Sequence, residues 1–112
     1  KITTAVYNVD SKKRMNLHYA AVWANNFTNC MYSVAKDITD RNNLPFDVLL
    51  PIIDETAEKI HRLTPREAQT GPAVRFDENI ITKHLSLSSN EQERILYKMI
   101  SDTIHEIAQR KS

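Results

Sequence analysis

A chain of 112 residues with a single glycine, Gly71, has few ways to turn sharply. Average usage would supply about eight. The deficit excludes a G-x-G-x-x-G dinucleotide fingerprint and a phosphate-cradling P-loop, because both need several glycines close together. It also argues against a fold of many tight β-hairpins, whose primed turns lean on glycine at positive φ. The expected class is all-α, with turns made by Pro, Asn, Asp and Ser.

Hydrophobic periodicity agrees with that class. The first helix is expected over 11–41, with Ala20, Trp23, Phe27, Met31, Val34 and Ile38 at spacings of three and four. Asn42, Asn43 and Pro45 should stop it. A second helix is expected over 47–63. Asp47 is its cap, Pro51 falls near its first turn, and Leu49, Ile53, Ala57 and Ile60 form its stripe. Thr64-Pro65-Arg66-Glu67 has the form of a capping box and predicts one short helical turn. A loop follows over 69–76, then a third helix over 78–87 behind Asp77. Ser89 and Gln92 form a second capping-box pattern before a last helix over 90–110. Its inward positions are expected at Ile95, Leu96, Met99, Ile100, Ile104, Ile107 and Ala108. The sum is four main helices plus a short helical turn in one domain, 11–112. Residues 1–10 read as an extended lead-in, with Asp10 or Ser11 able to cap the first helix.

Charge narrows the partners. Fifteen basic and fourteen acidic residues leave a net charge of +1, so nothing points to nucleic acid or to a membrane surface. The lone cysteine, Cys30, forbids an internal disulfide and suits a reducing, cytoplasmic setting. It is expected to be a small core residue, since no cationic neighbour in the sequence would activate it. No signal peptide is recognisable, and a start at Lys1 is expected of a piece of something longer.

The distribution of charge is less ordinary. Between Arg14 and Lys36 lie twenty-one residues without Asp, Glu, Lys or Arg. A membrane span has that length, but Asn16, His18, Asn25, Asn26, Thr28 and Asn29 are too polar for lipid. The expectation is a helix covered on most sides, in the core or against a second subunit. At about 100° per residue, Arg14, His18, Asn25, Asn29 and Lys36 fall within roughly 40° of one line. The apolar residues Ala20, Phe27, Met31 and Val34 lie opposite. Such a row needs hydrogen-bonding partners. A polar protein interface and a bound ligand both remain open.

Other positions are weighed similarly. Gly71 should supply positive φ or permit a close backbone approach. Arg75 could grip an anion or pair with Asp77. Glu58-x-x-His61 and Asp102-x-x-His105 imitate halves of a di-iron site. The first helix offers no inward carboxylate to complete one, so no metal is expected. His84 neighbours apolar positions and is expected as a hydrogen-bonded core histidine.

Three segments taken together carry a resemblance: HYAAVWANNFTN at 18–29, LPFDVLLPIIDETAEK at 44–59 and QTGPAVRFDENIITKHL at 69–85. In this order they resemble a bacterial family of uncharacterised oxidoreductases. In that family a Rossmann-like NAD(P)-binding domain precedes an all-helical domain of unknown function. The chain resembles the helical domain alone, over nearly its whole length. One departure is visible. The family loop often has glycine before its aspartate, where this chain has Phe76.

The resemblance implies a relative of the C-terminal domains of 6-phosphogluconate dehydrogenase, ketopantoate reductase and pyrroline-5-carboxylate reductase. It implies a small-molecule substrate, a homodimer and an N-terminal Rossmann-like domain in cis. NAD(P) would be bound mainly by that other domain, with no cofactor site in this stretch. His18 and Asn25 would serve catalysis. Asn29, Thr70, Gly71 and Arg75 would bind substrate. The competing expectation is a catalytically silent helical dimerisation or scaffold module.

Overall fold

The computed structural model describes residues 10–110, and the expected lead-in therefore lies almost wholly outside the described residues. Among those described there is no strand, and the all-α expectation is met. The chain divides into two units, 1–48 and 49–112.

The first unit is dominated by one continuous helical stretch. Helix α1, Ser11–Ala21, leads into a π-helical segment, Val22–Phe27, and then into α2, Thr28–Arg41. The outer limits are those the periodicity gave, but the π segment was not foreseen. Asp10 caps the start by accepting from the Lys13 amide at 2.8 Å. The end closes as a Schellman motif. The Leu44 amide donates to the Thr39 carbonyl at 2.9 Å, and the Asn43 amide to the Asp40 carbonyl at 3.2 Å. Asn43 takes φ 57°, the left-handed conformation that glycine usually fills there. The stop signal read from Asn42 and Asn43 thus has a definite geometry.

A 3-10 turn, Phe46–Leu49, precedes α3, Leu50–Lys59. The helix starts three residues later than expected because the 3-10 turn absorbs Asp47. Pro51 then sits in the first turn of α3, where its missing amide costs nothing.

In the second unit, α4, Pro65–Ala68, is the short turn expected from its capping box. Helix α5, Glu78–Ser86, is capped by Asp77, which accepts from the Ile80 amide. Helix α6, Glu91–Gln109, is capped by Asn90 and not by Ser89. Asn90 takes the Glu93 amide at 2.8 Å, while the Ser89 hydroxyl donates to the Glu93 carboxylate. The two short side chains were competitors, and the one in extended backbone next to the helix won.

Helices α5 and α6 are held together by side chains as well as by apolar contact. His84 Nδ1 and the Tyr97 hydroxyl are 2.7 Å apart, with the rings edge to face at 5.7 Å. Arg94 donates to the Leu85 carbonyl at 3.2 Å. Burial lifts the Tyr97 pKa above its usual value, against a smaller opposing effect of a Ser101 hydrogen bond. His84 is hydrogen-bonded as expected, but it is exposed and not a core residue. The apolar face of α6 is also only partly inward. Leu96, Ile104, Ile107 and Ala108 are half-buried, whereas Ile95, Met99 and Ile100 are exposed. On α3, Ile53 is half-buried, but Ala57 and Ile60 are exposed.

Replacing Asn90 by Ala should lower stability by about 1 kcal/mol, since the cap bond to α6 is lost. Asn90→Ser should keep most of it. Thermal melts followed by circular dichroism check the ordering, with the alanine variant melting several degrees lower.

Candidate functional site

The charge-free stretch occupies α1, the π segment and the start of α2, and none of its residues is buried. The expectation of a helix covered on most sides is not met within the chain. Met15 is 67% exposed, Tyr19 63%, Trp23 57% and Phe27 46%. Trp23 packs edge to face on Tyr19 at 6.4 Å and on Phe27 at 4.8 Å. Cys30 is exposed too, contrary to its expected place in the core.

The π segment explains how these side chains form one ridge. They are spaced four apart, and on a regular α-helix each such step drifts by about 40°. A turn closed from residue i to i+5 holds about one residue more than an α turn. The residues that follow it are set back by about 100°. Phe27 is thereby returned toward the line of Met15, and the spacing-four row runs along the helix instead of around it.

The same set-back corrects the polar row. On a uniform α-helix its members lie within roughly 40° of one line. With the π segment in place, Asn25, Asn29 and Lys36 are rotated away from Arg14 and His18, and the row widens to roughly 100°. His18 lines a shallow concavity of about 480 Å³ with Ser11, Arg14 and Met15. Asn25 lies inside the π segment itself. Wide turns of this kind are frequent where a helix has a functional task. His18, Asn25 and Asn29 are all exposed, and none of their side chains takes a hydrogen-bond partner among the described residues. They can meet a substrate or another protein surface.

The other three predicted site residues, Thr70, Gly71 and Arg75, belong to the second unit. All three are exposed in the loop between α4 and α5. Arg75 takes no partner among the described residues, so the alternative pairing with Asp77 is not made. Gly71 has φ 109°, and a Cβ built there would meet nothing within 4 Å. Of its two expected uses, positive φ is the one the loop needs.

The loop ends on a feature that spacing alone could not show. The Asp77 amide donates to the Pro72 carbonyl at 2.9 Å, and the Phe76 amide to the Ala73 carbonyl at 3.2 Å. This is the same paired closure that ends α2, and Phe76 occupies its left-handed position at φ 52°. Glycine is the easy residue there. The Phe76 ring lies against His105 with centroids 5.1 Å apart, and the His105 Nδ1 is buried without a partner. The ring contact is an interaction that glycine at position 76 could not make.

The capping box before the loop is complete. The Glu67 amide donates to Thr64 Oγ1 at 3.2 Å, and the Glu67 carboxylate accepts from the Thr64 amide at 2.9 Å. The backbone bond first, and the Thr64 hydroxyl second, hold the Glu67 carboxyl below its usual pKa. Among the described residues no group of three His, Cys, Asp or Glu side chains could hold a metal ion. No helix among them is long and apolar enough to cross a membrane.

These features now meet what comparison with known proteins finds. The family model described as a domain of unknown function (DUF2520) matches residues 1–104, and the chain belongs to that family. The described fold also matches a solved structure from Bacteroides fragilis, whose description reads "putative NADP oxidoreductase". The two are 52% identical over 88% of this chain, with a TM-score of 0.86. This chain spans 39% of the length of that protein. No curated protein matches the sequence.

Two outcomes follow from the loop. Phe76→Ala and Phe76→Gly both remove the ring, but only alanine must hold positive φ. The alanine variant should be less stable by about 1 kcal/mol, as urea melts would show. Equal stabilities would mean that the φ at position 76 is not strained. The second outcome concerns pH. Glu67 has a depressed folded pKa, so its contribution is complete above the unfolded value of about 4.3. It is lost as pH falls through the lower folded value. Thr64→Val should return the Glu67 titration toward its ordinary midpoint in an NMR pH series.

Proposed function

We propose that this chain is the substrate-binding and dimerisation domain of an NADP-dependent oxidoreductase acting on a small carbonyl, imine or hydroxy acid. The observation that carries the reading is the 52% identity with the Bacteroides fragilis protein across 88% of the chain. The family's own description leaves the role of the domain open.

The described residues do not fit a dinucleotide site. They hold one glycine and no strand, so a glycine-rich strand-to-helix turn cannot be formed from them. In this reading NADP is held by a Rossmann-like domain in cis. What this chain contributes is substrate contact. His18 can give or take a proton at the substrate atom where charge develops. Asn25 can fix the substrate's orientation through its amide, and Asn29 can extend the same contact. In the second unit, Arg75 can hold an anionic group with two parallel hydrogen bonds. Thr70 and Gly71 shape the loop that presents Arg75. The free thiol of Cys30 accords with a cytoplasmic protein.

The homodimer rests on the exposed ridge. Three aromatic rings and a methionine, roughly half exposed, offer on the order of 400 Å² of apolar surface per copy. Two copies meeting along it, with flanking contacts, approach the roughly 1,000 Å² that a specific interface needs. The absence of formal charge over 15–35 means that pairing two identical helices brings no like charges together. The ridge also supports a second reading, a catalytically silent dimerisation module, since an interface needs no chemistry.

His18→Ala and Asn25→Ala in the full-length protein separate the two. The oxidoreductase reading expects His18→Ala to lower kcat by about 100-fold or more with the dimer intact. Unchanged turnover in both variants, with a weakened dimer, would favour the silent module. Neither reading expects the 112-residue chain alone to oxidise NADPH.

A further inference from the structure

The second unit contains a cavity that the proposed substrate residues do not line. It measures about 380 Å³ and lies where α4 and its following loop meet the C-terminal half of α6. Val74, Ile104, Ile107 and Ala108 give it apolar walls, and Thr64, Pro65, Arg66 and Gln69 complete the lining. The volume falls within the range of small-ligand sites, which are mostly apolar with a few placed polar groups.

The polar groups are not equally available. The Thr64 hydroxyl nearby is engaged with Glu67, at 3.0 Å to the carboxylate and 3.2 Å to the amide. Gln69 Nε2 donates to the Thr70 carbonyl at 3.0 Å. Arg66 is different, because its guanidinium takes no partner among the described residues. An unpaired guanidinium beside an apolar wall favours a ligand with one acidic head and a hydrocarbon arm. The wall from Ile104 to Ala108 rises about 6 Å along α6, which suits an arm of about five to seven carbons.

We propose that this cavity binds an aliphatic monocarboxylate of medium chain length. The carboxylate is held by Arg66, whose guanidinium is the available polar group. The arm lies between Val74 and the α6 residues Ile104, Ile107 and Ala108. The site is complete within one unit and does not depend on the oxidoreductase reading.

Sodium octanoate titrated into the 112-residue chain, followed by amide NMR, tests this. Saturable shifts are expected at Gln69, Val74, Ile104 and Ile107. Acetate should give none, because it lacks the arm, and 1-octanol should bind at least tenfold more weakly, because it lacks the charge. Arg66→Gln should weaken octanoate by about 10- to 100-fold, as loss of a charge-assisted bond implies. Ala108→Leu should also abolish binding by filling the cavity, with the folded spectrum retained. Non-saturable shifts, shifts centred on Trp23 and Phe27, or equal affinity in Arg66→Gln would overturn the proposal.

Discussion

One backbone departure governs the first unit: the wide turn at Val22–Phe27. A helix has only a few faces, and a single added residue in one turn reassigns what each face presents. Here it runs through the ridge in which Tyr19, Trp23 and Phe27, four residues apart, make edge-to-face contacts. It also carries Asn25 within the irregular segment and separates Asn29 from His18. The aromatic ridge, and the polar side chains proposed to meet substrate, are therefore set by the same local geometry.

The shortage of glycine has a counterpart in the backbone. Three described residues have positive φ: Asn43, Gly71 and Phe76. Only one is glycine. Asn43 is the usual substitute, since its short polar side chain tolerates the left-handed region. Phe76 is a costly one, and its ring lies against His105. Side chains thus hold two of the three left-handed positions among the described residues, where glycine would be the easy choice.

Much of the fold was legible in the sequence because its signals were local. Asp10, Thr64 and Asp77 cap the helices that their spacing indicated, and Asn42 and Asn43 end α2 where expected. The misses have two causes. Periodicity at 3.6 residues has no provision for a π turn, although the strict spacing of four from Met15 to Phe27 was a visible sign of one. Apolar character was equated with burial, so Trp23, Ile95 and Met99 were expected inward. A surface that awaits a partner looks like a core in sequence. Of the proposed site, His18, Asn25, Asn29, Thr70, Gly71 and Arg75 were named from pattern and resemblance. The cavity beside Arg66 was not, because its walls come from segments far apart in the chain.

The ridge of Met15, Tyr19, Trp23 and Phe27 is the surface that a second copy would cover. Trp23 is the only tryptophan and sits at the ridge's centre, so its fluorescence reports on that surface directly. A concentration series of the 112-residue chain, read together with sedimentation mass, is the most direct measurement. The account predicts a shift of Trp23 emission to shorter wavelength as the mass rises to that of a dimer, and loss of both in Phe27→Asp. Emission that stays at the water-exposed wavelength at every concentration, with a monomeric mass throughout, would contradict it.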